Sequence, residues 1–278
     1  MNLQGKTAII TGATSGIGRV TALALAAEGA TLVLPVRNME KGEAVKQEII
    51  QKTENLAVDL MPVDMASFDS IRRFAEQFKA KYDKLHLLVN NAGTWETKKR
   101  LTEDGIEMNF AVNHLAPFLL TNLLLDTIVA SAPARIVNVS SAAHKQATMN
   151  FDDLEGKQRW SSMRSYSQSK LANILFTRYL ARELDGSGVT VNCLHPGVVS
   201  TALFDKMSGF MRRLFGLFMI SPEKGAETTI YLATSPGVEG VTGAYFAKKK
   251  QAKTSRHAND MVVAEKLWNV SKAYCNLS

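Results

Sequence analysis

The chain has 278 residues, of which 46% are hydrophobic and 21% are charged, with a formal net charge of +7. This length is near the upper end for one domain and allows a large buried core. Only two cysteines occur, which argues against a disulfide framework and favours a reducing compartment. No run approaches the roughly 20 apolar residues of a membrane-spanning helix, and the N-terminus lacks a signal-peptide layout. We therefore expect a cytoplasmic protein.

The basic excess is scattered along the chain, apart from short runs at 98–100 and 248–250. No repeat of aromatic and basic residues typical of a nucleic-acid module is visible, so nucleic acid is not an expected partner. Residues 203–220 mix Phe, Leu and Met with three basic side chains. This segment fits a cover over an apolar pocket or a peripheral membrane contact, and we favour the cover.

Short apolar runs alternate with longer segments of helical periodicity along the whole chain. This alternation predicts parallel βαβ units in one α/β domain over 1–278. We expect a doubly wound, about seven-stranded parallel sheet with helices on both faces, and ligands at the carboxyl ends of its strands. The expected strands are 7–11, 31–36, 56–63, 85–90, 134–140, 189–194 and 243–247, and the expected helices are 17–29, 39–52, 67–81, 104–130, 164–184, 222–234 and 256–274.

A glycine-rich loop separates the first strand from the first helix. Its sequence TGATSGIG places glycines at 12, 16 and 18. Glycine permits positive φ and close approach of a ligand, and the helix N-terminus offers free N–H groups to a pyrophosphate. Such a loop alone is a weak signal. Its position between the first strand and helix predicts a dinucleotide site of the Rossmann type.

Residues at the ends of the next strands indicate which nicotinamide cofactor is bound. Arg37 directly follows the second strand, where no Asp or Glu occurs, and its guanidinium suits a 2′-phosphate. We therefore predict NADP(H), and Arg19 is a second basic candidate; the alternative is that Arg37 is only a surface arginine. Asp64 after the third strand can accept from the adenine amino group. Asn91 and Gly93, in NNAG after the fourth strand, can satisfy strand-end groups and leave room for the cofactor.

Taken together, the motifs resemble those of the short-chain dehydrogenase/reductase family in order and spacing over essentially the whole chain. A finer resemblance is to the retinol dehydrogenase-like branch, which includes the WW-domain oxidoreductases. That branch usually prefers NADP(H), which agrees with Arg37. The residues that carry the resemblance are TGATSGIG, NNAG, RIVNVSSAAH, FDDLEG, the segment YSQSKLANILFTRYLARELDGSGVTVNCLHPGVVST from 166 to 201, and GAYFAKKK.

The resemblance implies the catalytic residues. Tyr166 is the general acid or base, and Lys170 lies one helical turn later on the same face. We expect the ammonium to lower the pKa of the tyrosine. Ser141 is implied to hold the substrate oxygen, with Ser140 as the alternative, and Asn113 to hold a water in the proton relay.

Further contacts follow from the same resemblance. An apolar cleft is expected for the substrate, next to a cover at about 200–221. The histidines form no ligand spacing with Cys or acidic residues, so no metal site is expected. The implied substrate residues are Ser141, Trp95 and Phe204. The implied cofactor residues are Gly12, Thr14, Ser15, Gly16, Ile17, Gly18, Arg37, Asp64, Met65, Asn91, Ala92, Gly93, Tyr166, Lys170, Pro196, Gly197, Val199 and Thr201.

The resulting prediction is an NADP(H)-dependent oxidoreductase that interconverts a lipophilic, retinal-like carbonyl compound and its alcohol by hydride transfer. An NADP(H)-binding protein without turnover is disfavoured because Ser141, Tyr166 and Lys170 are all present. Sugar-nucleotide epimerases are typically longer, with a separate C-terminal domain, and a partner-binding scaffold would need an extra module. The sequence is compatible with either a monomer or a homodimer. Three residues that fit either an interface or the core are Ile174, Phe176 and Leu180.

Overall fold

A computed structural model describes residues 2–199 and 219–277, and one sheet of eight strands organises them. The strand order is β3-β2-β1-β4-β5-β6-β7-β8, and only β8 runs antiparallel to its neighbour. The chain therefore reverses direction across the sheet between β1 and β4, as a doubly wound fold requires. The strands are β1 (Thr7–Ile10), β2 (Thr31–Val36), β3 (Val58–Pro62), β4 (Leu87–Asn90), β5 (Ala134–Val139), β6 (Val189–His195), β7 (Tyr245–Ala247) and β8 (Lys250–Gln251).

Helices cover both faces of this sheet. The predicted single α/β domain with a parallel, doubly wound sheet is confirmed. Among the described residues, every helix falls short of what a bilayer crossing requires in length or apolarity. The helices are α1 (Gly16–Ala27), α2 (Met39–Thr53), α3 (Phe68–Lys81), α4 (Met108–Phe110), α5 (Ala116–Leu123), α6 (Leu125–Val129), α7 (Ser162–Glu183), α8 (Pro222–Thr234) and α9 (Met261–Tyr274).

The core is divided by the sheet into two apolar clusters. One cluster joins the sheet to α3, α5 and α7 through side chains such as Phe74, Phe118 and Leu175. The other joins it to α1 and α8 through Leu25 and Leu232. Strands β4 and β5 are buried along their whole length, as their continuous apolar runs predict for strands covered on both faces.

The prediction of one continuous helix over 104–130 is wrong. The structure has the short α4, a π-helical turn at Ala111–Leu115, then α5 and a separate α6. Pro117 has no N–H to donate to the carbonyl of Asn113 four residues earlier, so regular α-helical bonding is interrupted there. Leu124 (φ −105°, ψ 3°) then ends α5.

The count of seven strands misses β8. Strands β7 and β8 form a hairpin whose two turn residues, Lys248 and Lys249, have φ of 52° and 60°. A two-residue hairpin turn with both φ values positive is usually built from Asn and Gly. Because lysine rarely adopts this conformation, the sequence contains no turn signal that would separate these strands.

The C-terminal helix α9 covers the outer face of α5 and α7. The indole of Trp268 lies edge-on to the ring of Phe118, with centroids 4.9 Å apart, and stacks on Tyr179 at 4.8 Å. Three residues fit either an interface or the core from the sequence, and all are buried within one chain: Ile174, Phe176 and Leu180. The structure therefore assigns them to the core.

Candidate active site

The glycine loop lies between β1 and α1. Gly12 and Gly16 have φ of 69° and 53°, which favours glycine. A Cβ on Gly18 would lie 2.2 Å from the carbonyl oxygen of Gly12, so no side chain fits there. Ser15 precedes α1 without capping it through its side chain, and the first turn has no acidic residue. The first N–H groups of α1 are thus available to an anion.

Two strand-end side chains hold this loop in place. The amide Nδ2 of Asn91 donates to the carbonyl oxygen of Thr11 at 2.8 Å. The Thr11 hydroxyl accepts from the backbone N–H groups of Asn91 and Ala92 at 3.0 and 2.9 Å. These bonds join the segment after β4 to the segment after β1. Thr11 is a site residue that sequence reasoning missed, although its place at the strand end was visible.

Arg37 lies exposed at the end of β2. Within the described ranges it pairs with no carboxylate, whereas Arg19, the second basic candidate, is ion-paired with Glu48 of α2. Asp64 follows β3, and its Oδ1 accepts from the N–H of Ala66 at 2.9 Å. The structure therefore leaves Arg37 as the basic side chain available beside the end of β2.

Tyr166, Lys170 and Ser141 come together at the carboxyl edge of the sheet. Tyr166 and Lys170 lie on α7 and are 9% and 5% exposed. The Ser141 side chain lies close enough to the phenol to lower the pKa of Tyr166. Lys170 Nζ lies 5.7 Å from the centre of the Tyr166 ring and donates to the Val139 carbonyl at 3.2 Å.

Burial dominates the ionisation of this group. Burial raises the pKa of Tyr166 to about 12, and the Ser141 side chain lowers it only in part. Burial also lowers the pKa of Lys170 to about 8. Lys170 is not among the causes of the net rise in the Tyr166 pKa, so the lowering of that pKa by its ammonium stays a prediction. The same low-polarity surroundings disfavour the phenolate and the ammonium, so Tyr166 is protonated at neutral pH.

The two adjacent serines have different partners. The hydroxyl of Ser140 is buried and donates to the backbone carbonyl of Lys170 at 2.7 Å. Ser141 is partly exposed, and its Oγ accepts from the N–H of Ala143 at 3.2 Å. The Ser141 hydroxyl thus lies beside Tyr166. The Ser140 hydroxyl instead joins the end of β5 to α7.

Asn113 lies in the π-helical turn and holds the segment after β4. Its Oδ1 accepts from the N–H of Thr94 at 2.7 Å, and its Nδ2 donates to the Thr94 carbonyl at 2.9 Å. A Cβ on Gly93 would lie 3.1 Å from Asn113 Oδ1 and 3.4 Å from Lys170 Nζ. The structure therefore brings Asn113, Gly93 and Lys170 to one place, as expected from the sequence.

An aromatic side chain closes one side of Tyr166. The Trp95 indole stacks on the phenol ring, with centroids 5.1 Å apart and planes at 22°. Its Nε1 donates to the Ser162 hydroxyl at 2.6 Å. The predicted substrate residue Trp95 is thus adjacent to the predicted acid. Ser162, which accepts this hydrogen bond, was not identified from the sequence.

The loop after β6 is described only as far as Val199. Gly197 has φ of 101°, and a Cβ there would lie 2.6 Å from Ile220 Cδ1. Val199 is buried and pairs with Ile220 in a β-bridge, so this loop is held against the segment before α8. Thr201, Phe204 and most of the expected cover at 200–221 lie outside the described residues.

The histidines do not form a metal site. Over 2–199 and 219–277, no cluster of three His, Cys, Asp or Glu side chains could hold an ion. His195 lies next to the loop after β6, and burial lowers its pKa to about 4, which keeps it neutral at physiological pH. Both cysteines are buried and unpaired.

Comparison with known sequences supports the interpretation of these motifs. The sequence profile of the short chain dehydrogenase family matches residues 6–210. Retinol dehydrogenase 11 of Mus musculus is 44% identical over 274 residues, which cover 98% of this chain and 86% of that protein. Retinol dehydrogenase 13 of Homo sapiens is 45% identical over 276 residues, which cover 96% and 83%.

Solved structures agree on the fold. An uncharacterized protein from Mycobacterium paratuberculosis superposes with a TM-score of 0.82 at 32% identity, covering 100% of this chain and 96% of that one. The NADP active-site complex of Pseudomonas aeruginosa RhlG superposes with a TM-score of 0.72 at 25% identity, covering 88% and 95%. The second of these structures has NADP at its active site.

Proposed function

This chain belongs to the short chain dehydrogenase family and its retinol dehydrogenase-like branch, and we propose that it interconverts a lipophilic carbonyl compound and its alcohol with NADP(H). It is an NAD(P)-dependent oxidoreductase that acts on CH–OH donors. The observation that carries this proposal is the placement of the Tyr166 phenol, buried with Lys170 and beside Ser141.

The preference for NADP(H) is supported by the residues at two strand ends. The glycine loop and the free N–H groups at the start of α1 suit the pyrophosphate. Arg37 is exposed and unpaired within the described ranges, at the position where a 2′-phosphate is recognised in such folds. Asn91, Gly93 and Lys170 fit the nicotinamide end. When bound, the reduced nicotinamide supplies the hydride.

The proton chemistry follows from the Tyr166 group. In the reducing direction the carbonyl oxygen gains negative charge and takes the proton of the Tyr166 hydroxyl. The Ser141 hydroxyl, which lies beside the phenol, donates to the same substrate oxygen. The Lys170 ammonium stabilises the phenolate that remains. Asn113 holds the backbone of Thr94 in place beside Lys170. In the oxidising direction the same groups act in reverse.

A lipophilic substrate is supported by the Trp95 indole beside Tyr166 and by the retinol dehydrogenases among the relatives. We propose a small retinal-like aldehyde or ketone. A homodimer through the outer face of α5 and α7 is not part of this proposal, because α9 covers that face.

The proposal is tested by following NADPH and NADH oxidation with retinal, long-chain aldehydes, steroid ketones and polar sugars, with Tyr166→Phe as the control. We expect turnover of lipophilic carbonyls with NADPH, strongly reduced in the variant. Efficient turnover of sugars with neglect of the lipophilic compounds would refute the substrate class. Binding of NADPH without turnover of any carbonyl would instead favour a cofactor-binding protein.

A further inference from the structure

A buried carboxylate that has no part in the proposed proton transfer lies at the start of α4. The side chain of Glu107 is 0% exposed. Its Oε1 accepts from Asn109 Nδ2 at 2.9 Å and from Trp160 Nε1 at 3.1 Å. Its Oε2 accepts from the N–H of Phe110 at 2.9 Å and from the Ser165 hydroxyl at 2.6 Å. Four donors thus satisfy both oxygens and offset the cost of burying the charge.

These donors require a carboxylate at position 107. The indole N–H of Trp160 and the backbone N–H of Phe110 can only donate, and each faces a different oxygen of Glu107. An amide in place of the carboxylate would turn its own NH₂ group against one of them. Glutamine therefore has the right shape for this position but the wrong hydrogen-bonding pattern.

The network of Glu107 reaches Tyr166 by two routes. Ser165, which donates to Glu107, is the residue before Tyr166 on α7. On the other route, Asn109 Oδ1 accepts from the N–H of Glu96 at 3.0 Å, one residue after Trp95. The Trp95 indole then stacks on the phenol.

We propose that Glu107 is a positioning residue for the reaction: its carboxylate fixes Trp95 against the Tyr166 ring and so sets the direction of the phenol hydroxyl. This inference rests on the proposed role of Tyr166. The Trp95 indole stacks on the face of the phenol ring, and the Ser141 side chain lies near the phenol oxygen. A misplacement of about 1 Å at a reacting group can cost on the order of 10²-fold in rate.

Glu107→Gln tests the proposal. We expect kcat to fall about 10- to 100-fold with KM for NADPH unchanged, because the network shares no hydrogen bond with the described glycine loop. A second readout does not depend on activity. The emission of Trp95, isolated as the difference between each protein and its Trp95→Phe counterpart, becomes more accessible to acrylamide quenching in Glu107→Gln.

A compensating variant separates positioning from general damage. In Glu107→Gln/Asn109→Asp, the new amide at 107 donates to the new carboxylate at 109, which still accepts from the N–H of Glu96. The Trp160 N–H, which shares the replaced oxygen, stays without its acceptor. The oxygen of that amide still accepts from Ser165 and Phe110. We expect kcat and Trp95 quenching to return part of the way to the wild-type values, because the route through position 109 to Trp95 is restored and the Trp160 bond is not. A double variant as slow and as accessible as Glu107→Gln overturns the proposal.

The matched control is Glu155→Gln, because Glu155 is a carboxylate that accepts from the Tyr274 hydroxyl at 2.9 Å, outside this network. It should leave kcat and Trp95 quenching unchanged. If Glu107→Gln does not fold, Ser165→Ala removes one donor, keeps the carboxylate and should lower kcat several-fold. Wild-type kcat and quenching in either variant refute the positioning role. Absence of turnover in the wild-type enzyme refutes the proposed function instead, and quenching still decides where Trp95 sits.

Discussion

The two ends of the proposed cleft are built in different ways. At the cofactor end, backbone conformation at a few neighbouring residues makes the site: Gly12 and Gly16 adopt positive φ, and Gly18 leaves no room for a Cβ. At the Tyr166 end, side chains from distant segments meet, because Trp95, Glu107 and Ser141 each come from a different loop. The first end should fail through steric conflict, and the second through loss of individual hydrogen bonds.

Gly18→Ala should have the largest effect. The added Cβ would lie 2.2 Å from the Gly12 carbonyl oxygen and 2.5 Å from Asn91 Nδ2, so the loop must shift. We expect no detectable NADPH binding by fluorescence titration and a lower melting temperature. Gly105→Ala is the control for NADPH binding: its φ of 76° disfavours alanine and should also lower the melting temperature, but a Cβ added there would meet nothing within 4 Å. If Gly18→Ala binds NADPH as tightly as that control, close packing of the loop is not what makes the site.

Ser141→Ala should come next and should act on turnover alone. Removing one donor to a developing oxyanion costs about 10²- to 10³-fold in kcat, and cofactor affinity should stay unchanged. Ser140→Ala is the matched neighbour, since its hydroxyl bonds the Lys170 carbonyl. Ser140→Ala should lower the melting temperature and have only a small effect on kcat. The reverse order of kcat losses would assign the substrate oxygen to Ser140.

Arg37→Ala should discriminate between the cofactors. Loss of a charge-assisted bond to a phosphate should raise KM for NADPH about 10- to 100-fold. KM for NADH should not change, because NADH has no 2′-phosphate. Arg73→Ala, an exposed arginine on α3, is the control. Equal changes for NADPH and NADH would show that Arg37 does not recognise the phosphate.

The pH dependence should give the smallest effect and should report on Lys170. Burial lowers the pKa of Lys170 from 10.5 to about 8, so the ammonium is present below that pH and lost above it. For carbonyl reduction, kcat/KM should be level below about pH 8 and fall up to about tenfold per pH unit above it. Lys170→Met should have a lower kcat/KM and should not show this fall above about pH 8. A profile that is level to about pH 10 would show that the charge is not needed.

Local features of the site could be predicted from the sequence, and long-range ones could not. The glycines, Arg37 and the Tyr166–Lys170 pair depend on the nearest strand or helical turn, and the structure places them as expected. Glu107 could not be identified in the same way. In the sequence it is an ordinary polar residue before a helix, and its Trp160 and Ser165 donors lie 53 and 58 residues further along the chain.

The same distinction holds for the fold. Short apolar runs predict strands β1 to β7. The run of β4 is buried throughout, as expected for a strand covered on both faces, whereas β3 contains Asp59 and is only partly buried.

The π-helical turn at Ala111–Leu115 is bonded to helices far along the chain, through Asn113 to α7 and through His114 to α9. The lysine turn before β8 has a bond from the Lys249 N–H to the Thr228 hydroxyl. Propensity alone therefore suggests a continuous helix and no turn. The burial that raises the pKa of Tyr166 to about 12 likewise depends on the whole fold, so it could not be predicted from the nearby sequence.

The central claim is that Tyr166 moves the proton, and Tyr166→Phe tests it most directly. The substitution removes the hydroxyl and keeps the ring that stacks on Trp95. In single-turnover reduction of a lipophilic aldehyde at saturating NADPH, the rate should fall about 10²- to 10⁴-fold. NADPH affinity, measured by titration of the same protein, should change little. A variant that binds NADPH normally and reduces the aldehyde at the wild-type rate would contradict the account.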